Sequence, residues 1–502
     1  MQAPMPRSAQ CAQQLRSRYR HMTSSSRLRN ISSQRQPSAL AVPHYNIKHL
    51  VANQDLYVTS CNVRRLPHVA DTIPLIAELY ATANALRRDR TAVYTQRKTL
   101  QTELRAAKDK ISILEQLGKL KDAGNVVDVQ IEDLEGKIRE YMDQVPNLIP
   151  DNCPREEEVV VKYLCLPPSD PAEVKRTDDE FVQALDYQDK TVLDHVDIGV
   201  QLGIIDLTTA SKISGHAFYY LLGDGAVLEQ ALVQYALEKA RRRGFKMMIP
   251  PSIVRREFAH ACGFRPRDTN GEQQIYNITV AGADPDSGDE GRLCLTGTAE
   301  IPLAAWATDR SFDISECPVK MVGVSRSYRA EAGSRGRDTK GIYRVHEFTK
   351  VELFAWVPAP NEDAPKGTPT SDHMLEELRE LQEDIISGLG LHARVLDMPG
   401  SDLGASAYRK YDIEVWMPGR QNWGEVTSAS NCTDYQSRRL HTRVKVEAKS
   451  LAYAHTLNGT AMAVPRVIVA ILENYYDHER KAVWIPKPLR KYFDGRAWIE
   501  RQ

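Results

Sequence analysis

The chain has 502 residues, which is more than one hydrophobic core usually organises, so two or three domains are expected. Its composition, with 42% apolar and 7% aromatic residues, excludes a wholly disordered or collagen-like protein. The formal charge is zero, with 66 basic and 66 acidic side chains, which excludes indiscriminate coating of a nucleic acid by the whole surface.

The N-terminal segment is unusual because the first 54 residues contain no acidic side chain. They contain seven arginines and Lys48, interleaved with serine and glutamine, a composition typical of a mitochondrial transit peptide. We therefore predict a transit peptide over residues 1–40 and a location in the mitochondrial matrix. A disordered basic tail that contacts nucleic acid is the alternative. The rest of the chain carries 58 basic against 66 acidic side chains, so any polyanion that it binds should meet a local basic strip.

Two further classes of protein are disfavoured by the pattern of apolar residues and cysteines. No apolar run approaches the roughly 18 residues that cross a bilayer, so no membrane association is expected. The eight cysteines are scattered without a CxxC pair or a Cys/His cluster. Neither zinc nor a disulfide framework is therefore predicted, and reduced thiols fit best.

Residues 73–145 predict two long amphipathic helices, because apolar side chains recur there at alternating steps of three and four. Gly118 and Gly124 are expected between the helices, with the tip within residues 105–125, and an antiparallel hairpin is the simplest geometry. The seam positions assigned to the first helix are Leu79, Ala83, Leu86, Val93, Leu100, Leu104, Ala107, Ile111 and Leu114, and those of the second are Val127, Ile131, Leu134, Ile138, Tyr141 and Val145.

The first of these helices carries a basic strip. From Glu78 to Lys110 there are eight basic side chains and four acidic ones. Such an arm could lie along a phosphate backbone, which is recognised mainly by charge, although a merely solvated helix face is the simpler alternative. The candidate contacts are Arg87, Arg90, Arg97, Lys98 and Arg105.

Beyond the proline-rich linker at residues 146–154, strand-like runs alternate with helical stretches, which predicts an α+β domain built on a mostly antiparallel sheet. The strand-like runs are EVVVKYLCL (158–166), GFKMMIP (244–250), GRLCLT (291–296), KMVGVSRSYR (320–329), FTKVELFAWV (348–357), YDIEVWMP (411–418) and RVIVAIL (466–472).

Four dense polar segments lie in or beside these runs, at residues 298–300, 327–354, 423–439 and 455–466. In the second segment Arg329 and Glu331 are two residues apart, so in a strand they would point the same way. Together they could hold a phosphate and a purine amino group, whereas an isolated pair of this kind is usually a surface ion pair. Phe348, Lys350 and Glu352 should share a face of the returning strand.

The order and content of the four segments resemble the class II aminoacyl-tRNA synthetases, and within them the seryl-tRNA synthetases. The matching sequences are LTGTAEIPL, YRAEAGSRGRDTKGIYRVHEFTKVE, GEVTSASNCTDYQSRR and HTLNGTAMAVPR, and ALVQYALEKARRRGFKMMIPPSIV resembles motif 1 of the class. The resemblance spans residues 46–493. It implies a tRNA-binding helical arm at residues 41–150, a class II catalytic domain with an antiparallel sheet flanked by helices at residues 151–502, and a homodimer.

The resemblance also implies the activity and the roles of individual residues. The activity would be ATP-dependent attachment of L-serine to tRNA(Ser) through a seryl-adenylate, with Mg²⁺ and without zinc. A non-catalytic relative that keeps the fold, or a class II enzyme for threonine or proline, are the alternatives. Serine would be bound by Thr298, Glu300, Glu352, Asn458 and Thr460; ATP would be bound by Arg329 at the α-phosphate, Glu331 at the adenine edge, Phe348 on the adenine ring, Glu425 and Ser428 through Mg²⁺, and Arg466 at the γ-phosphate.

Overall fold

The computed structural model describes residues 40–105, 110–165, 192–264, 275–279, 292–331, 340–360, 369–447 and 450–501. The predicted transit peptide lies outside the described residues, except for Leu40. The helices are α1 (Ile47–Ala52), α2 (Gln54–Val63), α3 (Pro67–Ala70), α4 (Thr72–Glu103), α5 (Lys110–Gln144), α6 (His195–Gln201), α7 (Leu207–Ser214), α8 (Asp224–Arg242), α9 (Arg256–Ala261), α10 (Glu300–Trp306), α11 (Ser371–Gly388), α12 (Tyr435–Leu440) and α13 (Val464–Tyr475). The strands are β1 (Val159–Leu164), β2 (Ile205–Asp206), β3 (Tyr220–Leu221), β4 (Lys246–Met248), β5 (Ile253–Arg255), β6 (Asn277–Ile278), β7 (Leu293–Leu295), β8 (Ser311–Asp313), β9 (Val319–Tyr328), β10 (Glu347–Val357), β11 (Ala393–Asp397), β12 (Arg409–Met417), β13 (Asn422–Thr433), β14 (Arg443–Glu447), β15 (Ser450–Tyr453), β16 (His455–Ala463), β17 (Tyr476–Asp477), β18 (Ala482–Trp484) and β19 (Trp498–Ile499).

An eight-stranded sheet forms the centre of the C-terminal part, in the order β1-β11-β12-β13-β16-β10-β9-β4. Neighbouring strands run antiparallel, except at the edge, where β4 pairs with β9 in parallel. The predicted α+β class with a mostly antiparallel sheet is therefore confirmed.

The central strand β10 has the main hydrophobic core on one face; its other face carries Lys350 and Glu352 and, further along, Phe354 and Trp356 of a second hydrophobic cluster. Val351, Leu353 and Ala355 belong to the large hydrophobic core that the sheet forms with helices α8, α11 and α13. Because side chains alternate along a strand, Lys350 and Glu352 point to the opposite face. The polar side chains of this strand are thus directed away from the main core.

The prediction that the run RVIVAIL (466–472) forms a strand was wrong, because this run lies in helix α13. Pro465 occupies the first turn of this helix, where the missing N–H would have no intrahelical partner in any case. The residues from Val467 to Leu472 are all fully buried. A helix that is apolar on every side shows no periodicity that distinguishes it from a buried strand.

The N-terminal part is dominated by an antiparallel pair of long helices, α4 and α5. Across the pair, Arg87 contacts Glu135 at 2.6 Å and Arg90 contacts Asp128 at 3.3 Å, so sequence numbers rise along one helix as they fall along the other. The hairpin agrees with the prediction.

The connection between these helices, after Glu103 and before Lys110, overlaps the predicted tip at residues 105–125, but the prediction that Gly118 and Gly124 lie between the helices was wrong. Helix α4 ends at Glu103 and α5 begins at Lys110, so Gly118 and Gly124 lie inside the second helix. A glycine inside a helix lowers the stability of that helix by only about 1 kcal/mol relative to alanine. Ile111 and Leu114, assigned to the first helix, belong to the second, and their exposed fractions are 81% and 54%.

The base of the hairpin joins the C-terminal part through buried polar side chains. The Arg64 guanidinium, 3% exposed, donates to the carbonyl oxygens of Gly404 at 2.7 Å and Ala407 at 2.6 Å. The Asn147 amide donates to the carbonyl oxygens of Ser406 and Cys432, each at 2.9 Å. Within the described ranges, no helix has the length and apolar character needed to span a bilayer.

Candidate active site

The predicted site residues converge on the face of the sheet that carries Lys350 and Glu352, where β10, β13 and β16 meet the N-terminus of α13. A single cavity there is lined by all six residues predicted to bind ATP and by one predicted to bind serine. These are Arg329, Glu331, Phe348, Glu425, Ser428, Arg466 and Thr460. Segments separated by more than a hundred residues in sequence therefore supply one site.

Beside the cavity lies a buried polar cluster centred on Glu352, which is 2% exposed. Thr460 is the direct partner of Glu352 across the β10–β16 ladder, and its hydroxyl donates to the Glu352 carboxylate at 3.4 Å. Lys350 Nζ lies 2.6 Å from the same carboxylate oxygen and 3.5 Å from the Thr460 hydroxyl. A buried carboxylate needs such partners, so the cluster holds its hydrogen-bonding atoms in fixed places.

The other residues predicted to bind the substrate serine, Thr298, Glu300 and Asn458, lie near this cluster and do not line the cavity itself. Thr298 is 2% exposed and Asn458 is 9% exposed. The Thr298 hydroxyl accepts from the backbone N–H of Glu300 at 3.3 Å, at the start of α10. The Asn458 amide donates to Cys432 Sγ at 3.5 Å, which fixes its orientation towards the interior of the sheet.

Glu300 is placed so that its carboxyl group resists ionisation. Burial is the main cause, and the negative charge of Glu352 adds to it, so that the pKa of Glu300 is raised to about 7 despite the opposing effects of Lys350 and Arg329. Its carboxylate accepts a hydrogen bond from the Gln436 amide at 2.6 Å. A titrating carboxyl group at neutral pH is typical of functional sites.

Three arginines line the cavity, of which Arg344 is paired with Glu331 and the other two lie over aromatic rings. The Arg329 guanidinium carbon lies 5.4 Å from the centre of the Phe348 ring, and that of Arg466 lies 4.7 Å from the centre of the Tyr343 ring. Burial lowers the pKa of Arg329, and the positive charge of Arg466 lowers it further. Like charges held together in this way suit a ligand with several negative charges, such as a nucleoside triphosphate.

Glu425 provides the anionic side of the same cavity. Burial raises its pKa, but the charges of Arg466, Lys410 and Arg329 outweigh burial, so the pKa is lowered overall and the group is ionised at neutral pH. Its carboxylate lies 3.3 Å from Arg466 Nη1, and the Ser428 hydroxyl lines the cavity nearby. One carboxylate and one hydroxyl fit Mg²⁺, which usually takes one or two carboxylates and completes its shell with water and phosphate oxygens.

Arg329 and Glu331 do not share a strand face, contrary to the prediction from their spacing. Strand β9 ends at Tyr328, so both residues lie beyond the strand, and Glu331 has a positive φ of 48°. Strand alternation therefore does not orient them. Both still line the cavity, and the Glu331 carboxylate is paired with Arg344.

Polar contributors to the site that have no role predicted from the sequence include Lys350, Tyr343, Arg344 and Gln436. The signal for Lys350 was present, because its position on the same strand face as Glu352 was predicted. The contact between Gln436 and Glu300 joins residues 136 apart and has no local signature. Tyr343 lies in a loop, where no periodicity places a side chain.

On the arm, the five predicted tRNA-binding residues differ in their surroundings. Arg87 and Arg90 form ion pairs with acids of the second helix, and the Arg97 guanidinium lies 5.7 Å from the centre of the Tyr94 ring. Lys98 and Arg105 are exposed. The exposed side chains are the ones that could reach a phosphate without first losing a protein partner.

Comparison with known proteins places this site in a family. Residues 282–475 match the model of the tRNA synthetase class II core domain (G, H, P, S and T). The mitochondrial serine–tRNA ligase of Saccharomyces cerevisiae is 41% identical over 469 residues, covering 92% of this chain and 97% of the yeast protein. That of Bos taurus is 42% identical over 371 residues, covering 73% and 68%. The crystal structure of seryl-tRNA synthetase from Pyrococcus horikoshii complexed with ATP matches with a TM-score of 0.79 at 30% identity, covering 91% of this chain and 100% of that one.

The antiparallel sheet with its arginine-lined cavity, together with the core-domain match, defines a class II aminoacyl-tRNA synthetase. The identity to serine–tRNA ligases extends over nearly the whole chain. The chain therefore belongs to the seryl-tRNA synthetases, the serine–tRNA ligases of that class.

Proposed function

We propose that this protein attaches L-serine to tRNA(Ser) in the mitochondrial matrix through a seryl-adenylate, using the residues of the cavity and of the adjoining polar cluster. The observation that carries the proposal is the direct contact between Glu352 and Thr460, beside a cavity that Arg329 and Arg466 line. A hydroxyl-bearing amino acid and a triphosphate would thus bind next to each other.

In the first step the serine carboxylate attacks the α-phosphorus of ATP. A bond forms between a carboxylate oxygen and phosphorus, the bond from phosphorus to the bridging oxygen breaks, and pyrophosphate leaves. Two anions must be aligned and the developing charge must be neutralised. Arg329 would contact the α-phosphate and Arg466 the γ-phosphate, while Phe348 would stack on the adenine and Glu331 would accept from its amino group.

Glu425 and Ser428 would hold Mg²⁺ against the phosphates. The metal would supply further neutralisation of the phosphate charge. Across the part of the chain that the structure describes, no three His, Cys, Asp or Glu side chains form a metal-binding group. Metal binding at Glu425 would accordingly depend on oxygen atoms from ATP and water.

Selection of serine would rest on hydrogen bonding by the buried cluster. Glu352 would accept from the serine amino and hydroxyl groups, with Thr460 on the hydroxyl, while Thr298, Glu300 and Asn458 would complete the pocket. Alanine would leave these buried groups unpaired and should be rejected by a factor on the order of 10⁴. Threonine would be excluded by its extra methyl group. The 3′-hydroxyl of the tRNA then attacks the seryl carbonyl, and AMP leaves.

The helical hairpin would hold the tRNA while the cavity performs this chemistry. Its basic side chains would contact the phosphate backbone, for which charge supplies most of the affinity. We assign this role to the predicted arm at residues 41–150, with catalysis in residues 151–502 and mitochondrial import directed by residues 1–40.

We further propose that the protein acts as a homodimer through the surface that follows helix α8. Three apolar side chains are prominently exposed there, Met247 at 53%, Ile249 at 81% and Ile253 at 50%. Apolar residues clustered on a surface typically mark an interface. This region includes the segment that resembles motif 1, which forms the dimer contact in the class.

The test is amino-acid-dependent exchange of pyrophosphate into ATP, measured with each of the twenty amino acids and magnesium. Exchange with serine alone is expected, and charging of tRNA(Ser) should follow the same preference. Exchange with threonine or proline would assign a different amino acid. If none of the twenty amino acids supported exchange, the protein would be a non-catalytic relative.

A further inference from the structure

A buried histidine–glutamate pair lies behind the cavity, outside the residues that line it. His195, the first residue of α6, is 2% exposed, and Glu473 of α13 is 6% exposed. The two side chains meet with His195 Nδ1 2.9 Å from Glu473 Oε1. The carboxylate also accepts from the backbone N–H of His195 at 3.2 Å and from that of Gly419 at 3.0 Å. A buried carboxylate with three donors is fully satisfied.

The other ring nitrogen fixes the protonation state of His195. The backbone N–H of Ile342 donates to His195 Nε2 at 3.2 Å. A backbone N–H can only donate, so Nε2 is the unprotonated nitrogen, and Nδ1 carries the proton that it donates to Glu473. The neutral imidazole thus links the carboxylate of helix α13 to the segment that follows residue 339.

That segment has little freedom of position. Gly341 has a φ of +71°, and a Cβ there would lie 2.1 Å from His195 Nε2. Lys340 is paired with Asp194, the residue before His195. The backbone is therefore held against α6 by a close contact, a hydrogen bond and an ion pair.

The same segment continues directly to the wall of the cavity. Tyr343 follows Ile342, and its carbonyl oxygen accepts from Arg466 Nε at 3.4 Å. Arg466 also lies over the Tyr343 ring, and its Nη1 donates to the carbonyl oxygen of Glu425 at 2.9 Å. The contacts run in order from Glu473 through His195, Ile342 and Tyr343 to Arg466.

We propose that His195 is a positioning residue for ATP, which holds the Ile342–Tyr343 backbone where the Tyr343 carbonyl orients the Arg466 guanidinium. This inference rests on the proposed function, because it takes Arg466 as a ligand of the triphosphate. The hydrogen bond that positions this backbone is the one from the Ile342 N–H to His195 Nε2. The bond to Glu473 sets the tautomer and satisfies a buried charge.

Two amide substitutions separate these two bonds. The end of a glutamine side chain can reach the position of Nε2 and accept from Ile342, whereas an asparagine amide reaches only the position of Nδ1 and can donate to Glu473. We expect His195→Asn to weaken ATP binding about tenfold, equivalent to one lost hydrogen bond. His195→Gln should stay within about threefold of the parent protein. Serine binding should change less than twofold in both variants.

The readouts are the dissociation constant of ATP with magnesium, measured by calorimetry, and the KM values for ATP and serine in the exchange reaction. Thermal melting establishes that each variant is folded. His392→Gln is the control, because His392 is a half-buried histidine, bonded to the Cys165 carbonyl at 2.6 Å, that does not line the cavity. Its variant should bind ATP like the parent protein.

Gly341→Ala provides a second approach if His195→Asn fails to fold. It retains the imidazole and displaces the same backbone, so it should also weaken ATP binding with little effect on serine. Unchanged ATP affinity in folded His195→Asn and Gly341→Ala proteins would overturn the inference, as would equal losses for ATP and serine. If the parent protein binds ATP but shows no serine-dependent exchange, the serine assignment is wrong, and the ATP affinities still decide the role of His195.

Discussion

Arg329 illustrates how a single side chain combines charge and position in this site. It faces the cavity beside Phe348 and experiences the repulsion of Arg466. Its position just past the end of β9 sets the guanidinium over the face of the sheet that carries Lys350 and Glu352. Removal of this charge would leave the α-phosphate without its proposed cation.

We predict that Arg329→Ala lowers the rate of serine-dependent ATP–pyrophosphate exchange by at least about 10²-fold, the usual loss when one preorganised group that stabilises transition-state charge is removed. The control is Arg326→Ala, which removes an arginine from β9 that pairs with Glu347 at 2.9 Å and does not line the cavity. Equal activity in both variants would contradict the assigned role.

The raised pKa of Glu300 predicts how the stability of the folded protein depends on pH. Its pKa is raised from 4.5 to about 7 in the folded protein, chiefly by burial and then by Glu352. Between these values the folded state keeps a proton that the unfolded state releases, so stability falls as the pH rises through this range. The loss is at most about 3 kcal/mol.

Glu300→Gln cannot ionise and should therefore remove this loss. We expect its melting temperature to fall less than that of the parent protein between pH 5 and pH 8, in the absence of ligands. Glu377→Gln, which alters a half-buried pair with Lys320 outside the cavity, should follow the parent curve. A Glu300→Gln curve parallel to that of the parent protein would show that Glu300 is ionised throughout.

At the residue scale, the sequence predicted those positions that follow from strand alternation. The shared face of Lys350 and Glu352 needed only the period of two along β10. The orientation of Glu331 did not follow, because the strand had already ended and the residue adopts a positive φ. Tertiary contacts such as that of Gln436 with Glu300 depend on the packing of distant segments, which no local pattern encodes.

At the scale of elements, predictions succeeded where one side of an element is apolar. Both arm helices show that contrast, whereas β9 and β10 contribute apolar side chains to hydrophobic clusters on both faces of the sheet. Helix α13 lacks a contrast between an apolar and a polar side, because its residues from Val467 to Leu472 are all buried. Its β-branched residues favoured the wrong assignment as a strand. Gly118 and Gly124 were wrongly placed between the arm helices for a related reason, since glycine is tolerated inside a helix at a small cost.

The arm helices should act on tRNA and leave adenylate formation unaffected. We predict that the double variant Arg97→Ala/Lys98→Ala lowers kcat/KM for charging of tRNA(Ser) about tenfold and leaves exchange unchanged, because two phosphate contacts are lost. The salt dependence of tRNA binding should become shallower. Lys137→Ala removes a lysine of the second helix that pairs with Asp133 at 2.8 Å and is the control. Loss of exchange in the double variant would indicate damage to the fold.

At the scale of the molecule, the joint between the arm and the catalytic part depends on Arg64. Burial lowers its pKa to about 10, yet three carbonyl oxygens of residues 403–407 accept from its guanidinium. We predict that Arg64→Met destabilises the protein by about 3 kcal/mol, because buried acceptors are left unpaired. The measurements are thermal melting and proteolysis of the linker at residues 146–154. Arg65→Met, at the neighbouring exposed position, should be nearly neutral, and equal effects of the two would argue against a structural joint.

The proposed dimer can be tested by introducing one charged side chain into its interface. Ile249→Asp places a carboxylate on the apolar surface after α8 and should shift the protein from dimer to monomer in sedimentation velocity, since an unpaired charge at an interface is costly. Ile111→Asp introduces the same charge at an equally exposed isoleucine of the arm, 81% in both cases, and should leave the dimer intact. A monomeric parent protein would refute the proposal.

The pairing of Glu352 with Thr460 across β10 and β16 has a consequence for how this gene can vary. A slip of one residue in either strand exchanges the two faces of that strand, so the carboxylate would enter the main core and a valine or leucine would take its place. Deletions or insertions of a single codon here should be eliminated by selection far more strictly than substitutions. Variation in length is expected instead in the connections at the ends of these two strands.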